Sequence, residues 1–192
     1  MTPTAGAFLR VALIVLVAVI LQLSGLGPHR IFGAQPDLVP LVVAAVAIYA
    51  GSVAGAATGF GAGFLLDLAV GGTMGISSLV LTAVGYGVGR YREVRDPAHG
   101  LMPIPVGALA TLGWVTAFAA VSFMLDVGAS VSPLVFRDML LTLALNAVIA
   151  LPVFAICRRV LRPVLLVDPV DIRRRRRGPR ETGPLGLRGL EA

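Results

Sequence analysis

Few side chains in this sequence have the type and spacing that catalysis or metal binding requires. The single cysteine, Cys157, has no second cysteine with which to form an internal disulfide or a thiolate zinc site. The two histidines, His29 and His99, lie in loops far apart in sequence, and neither has a cluster of ligand residues nearby. No Ser/His/Asp set, Cys/His pair, carboxylate pair or Walker-type loop is present. The sequence therefore predicts a protein that is not an enzyme and has no cofactor and no metal site.

The glycines around Tyr86 do not predict a phosphate site. They read Gly85-Tyr86-Gly87-x-Gly89, but no strand precedes them, and a dinucleotide-binding motif requires one. Tyr86 instead fits an aromatic anchor at a membrane interface.

Two polar residues interrupt long apolar segments. Asp67 follows a glycine-rich run, and a carboxylate near a membrane span is costly and often functional. Two interpretations of Asp67 stay open, a binding role and a solvated carboxylate near the outer end of a helix. Asn146 lies in the middle of another apolar segment, where it is expected to hydrogen-bond a second helix, with a ligand role as the alternative.

A glycine repeat is the densest pattern in the chain. Its members are spaced four residues apart, and they are Gly51, Gly55, Gly59 and Gly63. Glycines at this spacing lie on nearly one helix face and allow a second backbone to approach closely. The pattern predicts close packing, against a helix of the same chain or against another protein.

Composition places the chain in a membrane. Of its 192 residues 57% are hydrophobic and 14% are charged, whereas a soluble domain has about 25% charged residues. The apolar residues fall in long runs, which are typical of membrane-spanning helices. The sequence predicts an all-α integral membrane protein with six short transmembrane helices.

The spans and the tail can be placed approximately. The apolar stretch from Leu38 to Leu66 is longer than one span needs, so we divide it at Gly51-Ser52. The predicted domain of residues 1–162 then contains six helices, at about 8–26, 37–50, 52–70, 76–89, 104–125 and 134–156. Residues 163–192 form a basic tail that is predicted to be disordered.

Arginine distribution predicts the orientation. Of the sixteen basic residues, only Arg30 and Arg137 fall on one side of the six-helix arrangement, which leaves fourteen on the other side. Loops rich in basic residues stay in the cytoplasm, so both termini are predicted to be cytoplasmic. A basic run in the tail is a candidate for contact with anionic lipids, and it consists of Arg173, Arg174, Arg175, Arg176 and Arg177. The alternative is that this run only enforces topology. No basic-aromatic patch indicates nucleic-acid binding.

Several motifs together resemble a known family. In chain order they are Gln35-Pro36-Asp37-Leu38, Gly59-Phe60, Gly63-Phe64-Leu65-Leu66-Asp67, Gly72, Gly75 and Gly85-Tyr86-x-x-Gly89. Their order and spacing resemble the bacterial rod shape-determining protein MreD over about residues 8–160. The motif positions of interest are Pro36, Asp37, Gly85, Tyr86 and Gly89.

The resemblance implies a role in cell elongation at the cytoplasmic membrane. MreD-like proteins work with the membrane-anchored MreC, with the RodA glycosyltransferase and with its class B penicillin-binding partner. The filament protein MreB lies on the cytoplasmic side. The implied function is assembly and regulation of the peptidoglycan machinery.

A second hypothesis comes from another class of protein. The family also resembles the substrate-binding membrane subunits of energy-coupling-factor vitamin transporters, which implies a small-molecule uptake component with a pocket near its outer face. The polar and aromatic candidates for such a pocket are Asp67, Trp114, Asn146 and Tyr49. The small number of polar groups favours a scaffold.

Overall fold

The computed structural model describes residues 5–26, 36–71, 74–94, 103–124 and 133–165. Within them the six predicted helices are present and no strand occurs. The helices are α1 (Ala5–Leu21), α2 (Leu38–Ala50), α3 (Ser52–Val70), α4 (Ile76–Val94), α5 (Pro103–Met124) and α6 (Pro133–Leu165). A short π-helical segment, Gln22–Leu26, continues from α1.

The helix ends differ from the predicted positions at several points. α4 continues to Val94, past its expected end near Gly89, because a helix can carry charged side chains once it leaves the apolar interior. α6 continues to Leu165 for the same reason. The rest of the basic tail, residues 166–192, lies outside the described residues.

The break between α2 and α3 is a single residue, Gly51. Its backbone has φ +96° and ψ −179°, a combination that is essentially restricted to glycine. The Gly51 N–H still donates to the carbonyl oxygen of Ala47 at 2.9 Å, which closes the last turn of α2. The chain therefore changes direction without leaving an unpaired amide.

Helix α2 is the centre of the bundle. Eleven of its thirteen residues are buried, and it contacts all five other helices. A helix that is apolar all round belongs in an interior, and the segment Leu38–Ala50 has no polar residue except Tyr49. At about 1.5 Å per residue α2 is roughly 20 Å long, which is shorter than the hydrocarbon core of about 30 Å.

The closest pair of helices is α3 and α4. They run antiparallel, because the start of α3 meets the end of α4 and the end of α3 meets the start of α4. Glycines on both helices bring the two backbones together.

Among the described residues, three helical stretches are long and apolar enough to cross a membrane: Ser52–Val70, Pro103–Val121 and Arg137–Leu161. α1 and α2 are apolar but shorter. Large apolar side chains also lie on the outside of the bundle, among them Phe8, Val53, Phe60, Leu109 and Val148. This outward apolar surface suits a lipid environment.

Candidate functional site

The N-terminus of α2 lies inside the bundle. Asn146, near the middle of the apolar stretch Arg137–Leu161, contacts Asp37 at the start of α2. The first amides of a helix have no partner within the helix, and the interior of a membrane protein offers no bulk water to satisfy them. The start of α2 therefore depends on side chains from other helices.

Asn146 supplies part of this support. Its Oδ1 accepts the Asp37 N–H at 3.1 Å, and its Nδ2 donates to the Asp37 carbonyl oxygen at 3.2 Å. The same Nδ2 donates to the Thr111 hydroxyl at 3.2 Å, and that hydroxyl donates to the Gly107 carbonyl oxygen at 2.9 Å. Asn146 and Thr111 are fully buried. The side chain thus joins α6, α5 and the start of α2.

Gln22 supplies further support, and Trp114 also hydrogen-bonds to the Asp37 side chain. The Gln22 Oε1 accepts the Val39 N–H at 2.9 Å, and its Nε2 donates to Asp37 Oδ1 at 3.2 Å. Pro40 also falls in the first turn of α2, and as a proline it has no N–H to satisfy. We call Gln22, Asp37, Thr111 and Asn146 the α2 cap. The sequence singled out Asp37 and Asn146 but not Gln22 and Thr111. The signal that could have identified Gln22 and Thr111 is that each is a polar residue within or at the end of an apolar run.

Asp67 is buried, so its interpretation as a solvated carboxylate is wrong. Its side chain is 5% exposed and bonds to the first turn of α4. Oδ2 accepts the Gly75 N–H at 2.8 Å and both the N–H and the hydroxyl of Ser78 at 3.4 Å, and Oδ1 accepts the Ser77 N–H at 3.3 Å. A carboxylate at a helix N-terminus satisfies free amides and interacts favourably with the helix dipole. We call this set, Asp67 with Gly75, Ser77 and Ser78, the Asp67 latch.

Glu93 has the same role at the other end of the hairpin that α3 and α4 form. Its Oε1 accepts the Ser52 N–H at 3.0 Å and the Ser52 hydroxyl at 2.6 Å, at the start of α3. Its Oε2 accepts from Arg90 Nη1 at 3.0 Å. These hydrogen bonds, those of Ser52 first, lower the pKa of Glu93 from 4.5 to about 2. We call Ser52, Glu93 and Arg90 the Glu93 latch; Glu93 lies beyond the predicted fourth helix, residues 76–89, and the sequence predicted no role for it.

The glycine repeat of α3 packs within the chain. A methyl group added at Gly55 would lie 2.6 Å from the Ala47 Cβ and from the Gly85 carbonyl oxygen. A methyl group at Gly59 would overlap the Leu81 carbonyl, and one at Gly63 would overlap the Ser78 backbone. The first member, Gly51, is the break itself. A methyl group there would lie 3.5 Å from Glu93 Oε1, an ordinary van der Waals distance. The face is therefore used by α2 and α4.

The family-motif positions divide into structural and exposed ones. Pro36 is buried, and Asp37 belongs to the α2 cap. Gly85 and Gly89 lie against α3, where a methyl group would overlap backbone atoms. Tyr86 points away from this contact and is 52% exposed.

Two of the residues proposed for a ligand pocket, Trp114 and Asn146, meet at Asp37, whose side chain is hydrogen-bonded to Trp114; Tyr49 and Asp67 lie apart from them. Asn146 lies at the start of α2, whereas Tyr49 lies near its end and donates to the Phe154 carbonyl oxygen at 3.3 Å. Asp67 is occupied by the start of α4, and Trp114 is buried with its ring 5.1 Å from that of Phe118. A groove of about 250 Å³ between α4 and α5 is lined by apolar side chains and glycines, with Tyr91 as its one polar side chain.

The remaining candidates give no further site. Among the described residues, no group of three His, Cys, Asp or Glu side chains is placed to hold a metal ion. Arg173, Arg174, Arg175, Arg176 and Arg177 lie outside the described residues.

Comparison with known proteins identifies a family. The model of a family described as rod shape-determining protein MreD matches residues 3–160. No curated protein and no solved structure matches the chain. The expected likeness to the energy-coupling-factor subunits therefore has no support from a solved structure.

Proposed function

The chain belongs to the MreD family of rod shape-determining proteins, and from this membership we propose that it is a non-enzymatic membrane scaffold of the cell-elongation complex. In this role it binds an MreC-like protein and, with it, the RodA glycosyltransferase and its class B penicillin-binding partner, near MreB filaments. Its contribution is assembly and regulation of peptidoglycan synthesis along the cell length.

The use of the buried polar groups is the observation that supports a scaffold. Within the described residues, every buried side-chain nitrogen or oxygen has a hydrogen-bond partner. Asn146, Thr111 and Asp67 are each engaged with the backbone of another helix or with each other. A binding pocket needs polar groups that converge on a ligand, whereas these groups hold helices together.

Co-purification tests the proposal directly. The full chain is expressed with an MreC-like protein from the same genome, solubilised in mild detergent and recovered through a tag on the MreC-like protein. We expect the chain to be recovered in a fixed ratio, and we expect no thermal shift with a panel of vitamins. A vitamin-induced shift together with no recovery would support the transporter hypothesis and refute the scaffold.

The variants for this test follow from the packing. Gly55 and Gly59 face Ala47 and Leu81, so leucine at these positions would disturb the bundle before it disturbed a partner. Phe60 and Phe64 stack with ring centroids 6.5 Å apart and are both exposed. Replacing both with alanine keeps the bundle interior unchanged and tests that face of α3. Leu109→Ala, on the exposed side of α5, is the matched control.

The proposed location is the cytoplasmic membrane, with both termini in the cytoplasm. Fourteen of the sixteen arginines fall on the cytoplasmic side in this orientation, as expected for basic residues near membrane spans. Labelling of single cysteines in a Cys157→Ala background tests it. A cysteine at position 2 and one at position 190 should both be protected from a membrane-impermeant reagent in intact cells, and labelling of either would refute the orientation.

The basic tail is proposed to bind anionic lipids. Five consecutive arginines near a membrane surface contribute roughly 1 kcal/mol each in attraction to anionic lipids. Deletion of residues 170–192 should weaken the binding of anionic lipid to the purified chain and leave insertion unchanged. Unchanged lipid binding would show that the run only enforces topology.

A further inference from the structure

Helices α3 and α4 share one sequence pattern. In both, a serine is followed after six residues by Gly-aromatic-Gly-x-Gly and then, after three more residues, by a carboxylate. Each position in the first copy is 26 residues before its counterpart in the second, and the pairs are Ser52 and Ser78, Gly59 and Gly85, Phe60 and Tyr86, Gly61 and Gly87, Gly63 and Gly89, and Asp67 and Glu93.

The contacts between the helices are reciprocal. A methyl group at Gly63 would overlap the backbone of Ser78, and a methyl group at Gly89 would overlap the backbone of Ser52. The counterpart of Gly63 is Gly89 and the counterpart of Ser78 is Ser52, so the repeat converts the first contact into the second. Because the helices are antiparallel, a local two-fold axis normal to the pair relates them.

The middle of the hairpin obeys the same exchange. A methyl group at Gly59 would overlap the carbonyl of Leu81, and one at Gly85 would overlap the carbonyl of Gly55. Gly55 and Leu81 are themselves separated by 26 residues.

The two latches are the same arrangement at opposite ends. Asp67 accepts hydrogen bonds from the N–H and the hydroxyl of Ser78, and Glu93 accepts them from the N–H and the hydroxyl of Ser52. Each carboxylate, near the end of one helix, therefore holds the first turn of the other.

Burial distinguishes the two ends. Asp67 is 5% exposed and also holds the Gly75 N–H. The side chain of Glu93 is 37% exposed, and that of its partner Arg90 is 62% exposed. Ser52 and Ser78 are both buried, so the two ends differ in the carboxylate: water can reach that of Glu93 but not that of Asp67. The Glu93 latch also adjoins Gly51, the single residue that links α2 to α3.

We propose that α3 and α4 form an inverted repeat closed by two equivalent carboxylate latches, of which the Glu93 latch opens while the Asp67 latch stays closed. The end of the hairpin beside Gly51 is then its moving end, and the end beside Gly75 is its fixed end. This inference does not depend on the identity of any partner.

Hydrogen exchange of the full wild-type chain in lipid nanodiscs tests the opening. Amide exchange reports local opening of the structure. After correction for intrinsic rates, the Ser52 amide should exchange at least about tenfold faster than the Ser78 amide. Equal rates, or faster exchange at Ser78, would overturn the assignment of the moving end.

Two latch variants test whether each carboxylate holds only the opposite helix. Glu93→Gln should speed exchange in the first turn of α3 and leave the first turn of α4 unchanged, and Asp67→Asn should do the reverse. An effect of either variant on both first turns alike would overturn the idea of two separate latches.

Alanine substitutions at paired glycines test the repeat itself. Gly59→Ala and Gly85→Ala, in the middle of the hairpin, should lower the unfolding midpoint by similar amounts, and Gly63→Ala and Gly89→Ala should both lower it. The chain offers a matched control pair, Gly61→Ala and Gly87→Ala, because a methyl group at either position meets no atom within 4 Å. The control pair should leave the midpoint unchanged or raise it. Loss of stability in the control pair, or loss in only one member of a test pair, would refute the repeat.

Discussion

Replacing Asn146 with leucine tests the role of the α2 cap. The two side chains are similar in size, but leucine removes three hydrogen bonds, to the N–H and the C=O of Asp37 and to the Thr111 hydroxyl. Asn146 is fully buried, so water cannot take the place of its amide. The start of α2 would then keep the bonds of Gln22 and the hydrogen bond between Trp114 and the Asp37 side chain.

The structure sets the size of the effect. Hydrogen bonds between membrane helices average about 0.6 kcal/mol each, so the loss of three amounts to roughly 2 kcal/mol if the freed groups find other partners. A buried polar group left without a partner costs about 1–3 kcal/mol. The Asp37 N–H would be such a group, whereas the Asp37 carbonyl, at the N-cap position, still accepts the first bond within α2. The expected loss in the free energy of unfolding is therefore between about 2 and 3 kcal/mol.

The assay is equilibrium unfolding in mixed micelles with increasing dodecyl sulfate, followed by helical circular dichroism. Thr111→Val is the graded control, because it removes one bond to Asn146 and one to a carbonyl that already lies within α5; we expect a loss of about 1 kcal/mol. The double variant should be less destabilised than the sum of the singles, because both lose the same bond. A loss below about 0.5 kcal/mol for Asn146→Leu, the range of neutral surface changes, would refute the reasoning.

Two further predictions concern Gly51 and Glu93. Gly51→Ala should lower the free energy of unfolding by about 1–3 kcal/mol, because its φ of +96° and ψ of −179° suit only glycine; an alanine variant as stable as wild type in the same assay would show that the break relaxes without cost. The folded-state pKa of Glu93 is lowered from 4.5 to about 2, so its carboxylate contributes stability above about pH 4.5 that is lost as the pH falls towards 2. Wild type should therefore be more stable than Glu93→Gln at pH 7, with the difference shrinking between pH 4.5 and 2, and a difference that does not change with pH would contradict the prediction.

The sequence was sufficient for features that local composition controls. The break at Gly51 could be found because an uncharged stretch of 29 residues is too long for one span and because glycine marks the point of division. The glycine repeat predicted close packing because its four-residue spacing places the missing side chains on one face. Composition alone indicated a membrane protein.

The latches could not be predicted in the same way. Asp67 accepts hydrogen bonds from backbone amides at the start of the next helix. Every residue except proline has such an amide, so these bonds depend on how the hairpin closes and leave no mark in the sequence. Glu93 looked like a loop residue because charges commonly end a membrane span, although α4 continues through it. Asn146 and Asp37 are 109 residues apart, and only the three-dimensional arrangement shows that they meet.

The shortness of α2 has a consequence for how the protein is made. Thirteen residues are too few to span the bilayer as an independent helix, and its first amides depend on Gln22 and Asn146, which belong to segments before and long after it. Asn146 leaves the ribosome 109 residues after Asp37, so α2 cannot be fully capped until nearly the whole bundle has been synthesised. Insertion of this protein therefore finishes with its central helix, and a chain truncated before α6 should remain accessible to quality-control proteases at residues 38–50.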